Sequence, residues 1–133
     1  MDLDTLKVKD EQTKEYKRLS EFEEVMIAVF ISYNDCQTCI EAIMQDILRY
    51  KSGLKLKKEN IALIVAGGSD EFLKFVKYRF AKYFDLFTLE VKIKTPLIFF
   101  IKLKKYVLIE PSVESILYFS QMVDSLIFNQ IKK

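Results

Sequence analysis

Two unbroken runs of β-branched, aliphatic and aromatic residues, VMIAVFIS at 25–32 and IALIVA at 61–66, constrain the fold of this chain more than any other feature. Neither run alternates with polar residues, so neither can lie with one face in water; each reads as a strand buried on both sides. Between them the period changes. Ile40, Ile43, Met44, Ile47 and Leu48 recur at i, i+3, i+4, i+7 and i+8, while Glu41, Gln45, Asp46 and Arg49 face away, which is the pattern of an amphipathic helix beginning at Gln37. Its expected end is Ser52-Gly53, with Gly53 in the left-handed capping position. Two buried strands joined by a helix form a parallel pair with a crossover connection.

A second helical pattern follows the GGSDE stretch and runs through Phe72, Leu73, Phe75, Val76, Phe80 and Phe84, with Ser69 or Asp70 as its cap. Three further strand-like pieces come next: 87–93 (FTLEVKI), 96–101 (PLIFFI) and 105–110 (KYVLIE). Only Lys102, Leu103 and Lys104 separate the last two, and so short a link requires an antiparallel hairpin. Pro111 and Ser112 are start signals for a final helix over 113–131. Residues 1–24 read as a polar, irregular N-terminal extension with a short edge strand around Leu3, Leu6 and Val8. The expected fold class is α/β, a central mixed sheet with a parallel βαβ half and an antiparallel hairpin, flanked by helices. With 133 residues the chain has the length of one domain, 1–133, able to bury about two-thirds of its unfolded surface.

Lysine and arginine number 21 against 19 aspartates and glutamates, a net charge of +2 that lacks the bulk field of a nucleic-acid binder. No apolar run approaches the ~18 residues of a membrane span, and 1–24 is too charged for a signal peptide. The chain as given is therefore expected to be a soluble monomer with no transmembrane segment and no nucleic-acid partner. The compartment is left open by the sequence: the cell envelope or periplasm if a signal or anchor was removed, otherwise the cytoplasm.

The only two cysteines, Cys36 and Cys39, stand three apart in NDCQTC, between the first buried strand and the first helix. Three chemistries fit a CxxC pair. A closed zinc site needs four ligands, and with no histidine and no further cysteine one chain cannot supply them from these residue types; carboxylates or a zinc-bridged symmetric dimer could, but no metal is expected. Two inert, buried thiols form a second reading. The third is redox: at a helix start the unpaired N–H groups and the helix dipole favour a thiolate at Cys36, making it the nucleophile. Cys39, one helical turn on along the same face, can close a disulfide with it as the resolving thiol. Strand, Cys-x-x-Cys at a helix start and a βαβ pattern are together a thioredoxin-like redox signature.

From about residue 22 onward, the order strand, CxxC helix, strand, helix, proline-initiated hairpin and final helix resembles the thioredoxin fold. The NDCQTC wording resembles bacterial TlpA-like thiol-disulfide oxidoreductases more than thioredoxin itself. Thr95-Pro96 stands where that superfamily has its cis-proline. The resemblance implies that Pro96 packs beside the cysteines and that Thr95 pairs with an extended substrate segment; Tyr33 and Asn34 read as the rim of the site, and Tyr33 and Asp35 as further substrate-binding candidates. It implies a disulfide- or thiol-bearing protein substrate, a redox partner of unknown identity and no cofactor. This chain departs from thioredoxin at Asp35, Gln37 and Thr38, where thioredoxin has Trp before the pair and Gly-Pro within it, and at Phe30, six residues before Cys36, where it has a buried acid. Those departures point to an alternative, a thioredoxin-like binding or scaffold module with little turnover.

The remaining features read more plainly. A peroxidase is disfavoured by Tyr33, three residues before Cys36, where thioredoxin-fold peroxidases have Thr. AGGSDEF, 66–72, follows a strand and precedes a helix but lacks the spacing of a phosphate loop, so it reads as a capped turn. Lys74, Lys77, Arg79 and Lys82 read as a solvated basic face, and Phe72, Phe75, Phe80, Phe84 and Phe87 as one core stripe. Asn34 or Asp35 is expected to cap the helix after it.

Overall fold

The computed structural model describes residues 3–35, 37–67, 69–101 and 104–108. Cys36, Lys102 and Leu103, the last two residues of the strand expected over 105–110, and the helix expected over 113–131 with its start at Pro111 and Ser112 lie outside the described residues.

The first apolar run forms β3 (Ile27–Ile31), with all five residues buried. The N-terminal residues form β1 (Lys7–Asp10) and β2 (Tyr16–Arg18), an antiparallel pair. The second apolar run forms β4 (Ile61–Ala66), parallel to β3 with Ile27 opposite Ile61 and Ile31 opposite Val65. After it come β5 (Asp85–Leu89), β6 (Leu97–Phe100) and β7 (Lys105–Leu108). Among the described residues these strands make one mixed sheet in the order β2-β1-β5-β4-β3-β6-β7. A parallel half and an antiparallel β6–β7 hairpin are both present. Hydrogen bonding on both edges and cover on both faces explain why β3 and β4 show no polar alternation.

Three sequence expectations are corrected in the sheet. The N-terminal strand is no irregular edge: β1 is bonded to β2 on one side and to β5 on the other, with Val8 fully buried. Its lysines obscure it because one face of so short a strand carries the whole apolar signal, here a single valine. The strand expected over 87–93 instead spans Asp85–Leu89. It stops there because its parallel neighbour ends at Ala66, opposite Leu89, and leaves Glu90, Val91 and Lys92 exposed with no ladder to join. Parallel pairing also extends to three strands, β3, β4 and β5.

Alternate residues of each strand enter two apolar layers. Val29, Ile31, Leu63, Val65 and Ile98 pack against helix α1 (Gln37–Gly53) and helix α2 (Asp70–Phe80). Ala28, Phe30, Ile64 and Phe99 enter the opposite layer with Val8, Leu19 and Phe87. The expected phenylalanine stripe therefore divides: Phe80 and Phe84 belong to the helix side, Phe87 to the other, and Phe72 and Phe75 are only partly buried. The cause is the change of period from helix to strand between Phe84 and Phe87.

At the end of α1 the left-handed residue is Lys55, φ 55°, and not Gly53. The Leu54 N–H still reaches the Tyr50 carbonyl at 2.9 Å, so the turn is displaced beyond the glycine; the Leu56 N–H then closes onto the Lys51 carbonyl at 2.9 Å. At the start of α2, Ser69 is the expected cap: its hydroxyl accepts the Phe72 N–H at 3.2 Å.

Candidate functional site

β3 ends at Ile31, and the chain turns through Ser32, Tyr33, Asn34 and Asp35 before α1 begins at Gln37. Within that turn the Asp35 N–H donates to the Ser32 carbonyl at 3.1 Å, and the Ser32 N–H donates to Asp35 Oδ2 at 2.8 Å. The reciprocal pair folds the Asp35 carboxylate back over the strand end. There it meets Thr95, because β6 is the antiparallel neighbour of β3 and Phe30 stands opposite Leu97. Thr95 Oγ1 lies 2.8 Å from Asp35 Oδ1 and 2.9 Å from Ser32 Oγ. Each hydroxyl carries one proton, so the Ser32 hydroxyl donates to Thr95 while Thr95 donates to the carboxylate. The Thr95–Pro96 peptide bond is cis, and Pro96 is buried.

Of the residues expected at the site, the structure thus brings Asp35 and Thr95 into contact, with Pro96 next in the chain. The hydrogen bonds of the Asp35 carboxylate among the described residues run to Ser32 and Thr95, a tie across the sheet where a cap for α1 was expected. Burial pushes the Asp35 carboxyl above its ordinary range, against the lowering effect of the hydrogen bonds from Ser32 and Thr95. Cys36 lies outside the described residues. Cys39, in the first turn of α1, is buried at 6% exposure.

Tyr33, 62% exposed, stands on the other side of this turn with its ring edge-on to Phe72, centroids 5.9 Å apart at 80°. Phe72 in turn stacks on Phe75, 6.5 Å away at 28°. These rings and Ile40 wall a cleft of about 330 Å³ between the start of α1 and the start of α2. Asp35, Glu41 and Glu71 stand around it. Arg79 of α2 grips Glu41 of α1 at 2.6 Å, fixing the two helices to each other.

Sequence reasoning missed Ser32, whose signal was a hydroxyl directly after a buried strand and three residues before an aspartate. It also read Phe72 and Phe75 as core alone; both pack against the core while partly buried, and both line the cleft as well.

A larger cleft, about 640 Å³, lies between the β1–β2 turn and α2, where the AGGSDEF segment reads as a capped turn. Two of its lysines face one acid: Lys77 and Lys14 reach Glu11 Oε1 at 3.1 and 3.3 Å, and the Thr88 hydroxyl donates to Glu11 Oε2 at 3.4 Å. Burial raises the Glu11 carboxyl, but hydrogen bonds and charges from Lys77 and Lys14 outweigh it and leave the pKa lowered. The basic face of α2 is therefore only partly a solvated one, since Lys77 and Arg79 are each tied to another element.

Among the described residues no three metal-ligating side chains converge, and no helix is long and apolar enough to cross a membrane. Comparisons with protein-family models, with curated proteins and with solved structures find no match to this chain.

Proposed function

We propose that this chain is a thioredoxin-like thiol-disulfide oxidoreductase, with Cys36 as nucleophile and Cys39 as resolving thiol. The observation that carries the reading is the tie from Asp35 to Thr95: it sets the Thr95-Pro96 segment, 60 residues away in sequence, against the turn that leads directly into Cys36. The sheet agrees with the reading, since the strand before the pair lies between a parallel strand and the antiparallel strand that follows Pro96.

In the reaction, the Cys36 thiolate attacks one sulfur of a substrate disulfide; a mixed disulfide forms and the other substrate sulfur leaves as a thiolate that takes up a proton. Cys39 loses its proton and attacks Cys36 Sγ, releasing the second substrate thiol. The substrate gains two electrons and two protons, and the pair ends as a Cys36–Cys39 disulfide. The reverse sequence oxidises a dithiol, and the potential of the pair sets the direction. An ionised Asp35 beside Cys36 opposes thiolate formation, and a raised Asp35 pKa weakens that opposition over part of the acid range. Thr95 offers its backbone to an extended substrate segment beside Pro96.

A specific observation favours the alternative of a binding module. Phe30 is fully buried, and among the described residues no polar or charged side chain is fully buried, so no interior acid stands there to take a thiol proton. Insulin reduction driven by dithiothreitol separates the two. Wild-type acceleration that disappears in Cys36→Ser supports exchange; wild-type turnover no faster than that variant leaves the binding module.

A further inference from the structure

We propose that the cleft walled by Tyr33, Ile40, Phe72 and Phe75 is a subsite for a lysine or arginine side chain of the polypeptide on which the site acts. It rests on the exchange reading only in taking its occupant to be part of a disulfide-bearing polypeptide.

The argument starts from the two chemistries the cleft combines. Its walls are apolar and aromatic, suited to the methylene stem of a long side chain, and aromatic faces attract a cation laid over them. Its charged lining residues, by contrast, are acids only: Asp35, Glu41 and Glu71, with no lysine or arginine among the described lining. In a chain with 21 basic and 19 acidic residues, that is a local reversal of the overall sign. Glu41 already answers Arg79, whereas no ion pair among the described residues includes Asp35 or Glu71. A cationic head beside Glu71, on the same lining as Asp35 and Glu41, supplies the missing charge, while its stem lies against Phe72. An acidic side chain would be repelled, and a purely aliphatic one would leave the carboxylates unanswered. Asp35 belongs both to this cleft and to the Thr95 tie, so an occupant lies alongside the segment expected to hold the substrate backbone.

The test uses the full chain with Cys36→Ser and Cys39→Ser, so that no exchange chemistry contributes. Isotope-labelled protein is titrated with N-acetyl methylamides of arginine, lysine, norleucine and glutamate while the amide signals of Tyr33, Glu71 and Phe72 are followed. Arginine and lysine are expected to shift these signals saturably, with affinity roughly fivefold above norleucine, and glutamate to leave them unmoved. Glu71→Lys, at an exposed position, is expected to remove that roughly fivefold preference. Norleucine binding as tightly as arginine, saturable shifts only elsewhere, or an unchanged preference in Glu71→Lys overturns the proposal. The exchange reading fails separately: a wild-type chain that reduces no disulfide while arginine still saturates the cleft loses its oxidoreductase role and keeps its basic-side-chain subsite.

Discussion

Thr95 donates its hydroxyl to Oδ1 of Asp35 at 2.8 Å, joining the residue before the cis-proline to the residue before Cys36. Among the described residues the half-buried carboxylate has Ser32 as its other partner, so this one bond is a large share of what compensates it there. Replacing Thr95 with valine keeps the shape and deletes the donor. Thr95→Val is expected to lower stability by about 1–2 kcal/mol in urea unfolding at neutral pH, and Thr95→Ser to restore most of it. Equal stability of all three proteins would show that the bond contributes nothing.

Asp35 also gives a pH dependence whose sign follows from its environment. Burial raises its pKa on folding, so the folded chain holds the proton more tightly than the unfolded one. Its contribution to stability is therefore full below the unfolded pKa and is lost as pH rises through the folded value. Compared from about pH 3 to about pH 7, Asp35→Asn should lose less stability than wild type over that window. In a Cys39→Ser background, the same change should lower the pH midpoint for alkylation of Cys36, because a neighbouring negative charge is gone.

Glu11 behaves in the opposite sense. Its side chain, 8% exposed, is held ionised by Lys77 and Lys14, and its pKa is lowered on folding despite its burial. Its contribution is present above the unfolded pKa and disappears as pH falls through the folded one. Glu11→Gln should cost about 0.5–1 kcal/mol near neutral pH, since solvent screens its half-exposed lysine partners, and converge with wild type in acid, as read by denaturant midpoints. A constant difference at every pH would mean that shape, and not charge, is what Glu11 contributes.

The end of α1 yields two stabilising substitutions. Lys55 holds a left-handed conformation at φ 55°, a place where glycine has no steric cost, so Lys55→Gly should raise stability by about 0.5–1 kcal/mol. Gly53 lies within the helix, and a Cβ added there would meet nothing within 4 Å, so Gly53→Ala should gain about as much. Thermal unfolding of the two single variants and their combination measures both.

The parts of the fold written in the sequence were those whose signal is long. β3, β4 and α1 each repeat their pattern over enough positions for one arrangement to win, and the hairpin of β6 and β7 followed from a short link. β1 was misread because four residues with one buried valine carry almost no periodicity. The end of β5 was misread for a different reason: it is fixed by where a neighbouring strand stops, and that is not a local property. The same distinction governs the site. The contact of Asp35 with Thr95 was legible in part, through the expected place of each residue, but Ser32 entered only once two strands were set side by side. Phe72 and Phe75 looked like core because a helical period records which residues share a face, not whether something covers it.

The antiparallel seam between β3 and β6 has a consequence for transplantation. A synthetic peptide copied from residues 27–53 would hold the strand, both cysteines and the whole of α1, yet it would lack the hydroxyl that secures Asp35, the proline beside it and the rings of Phe72 and Phe75. Grafting such a segment onto another scaffold would transfer the letters without the Asp35–Thr95 contact, because that contact belongs to the alignment of two strands and to neither one alone.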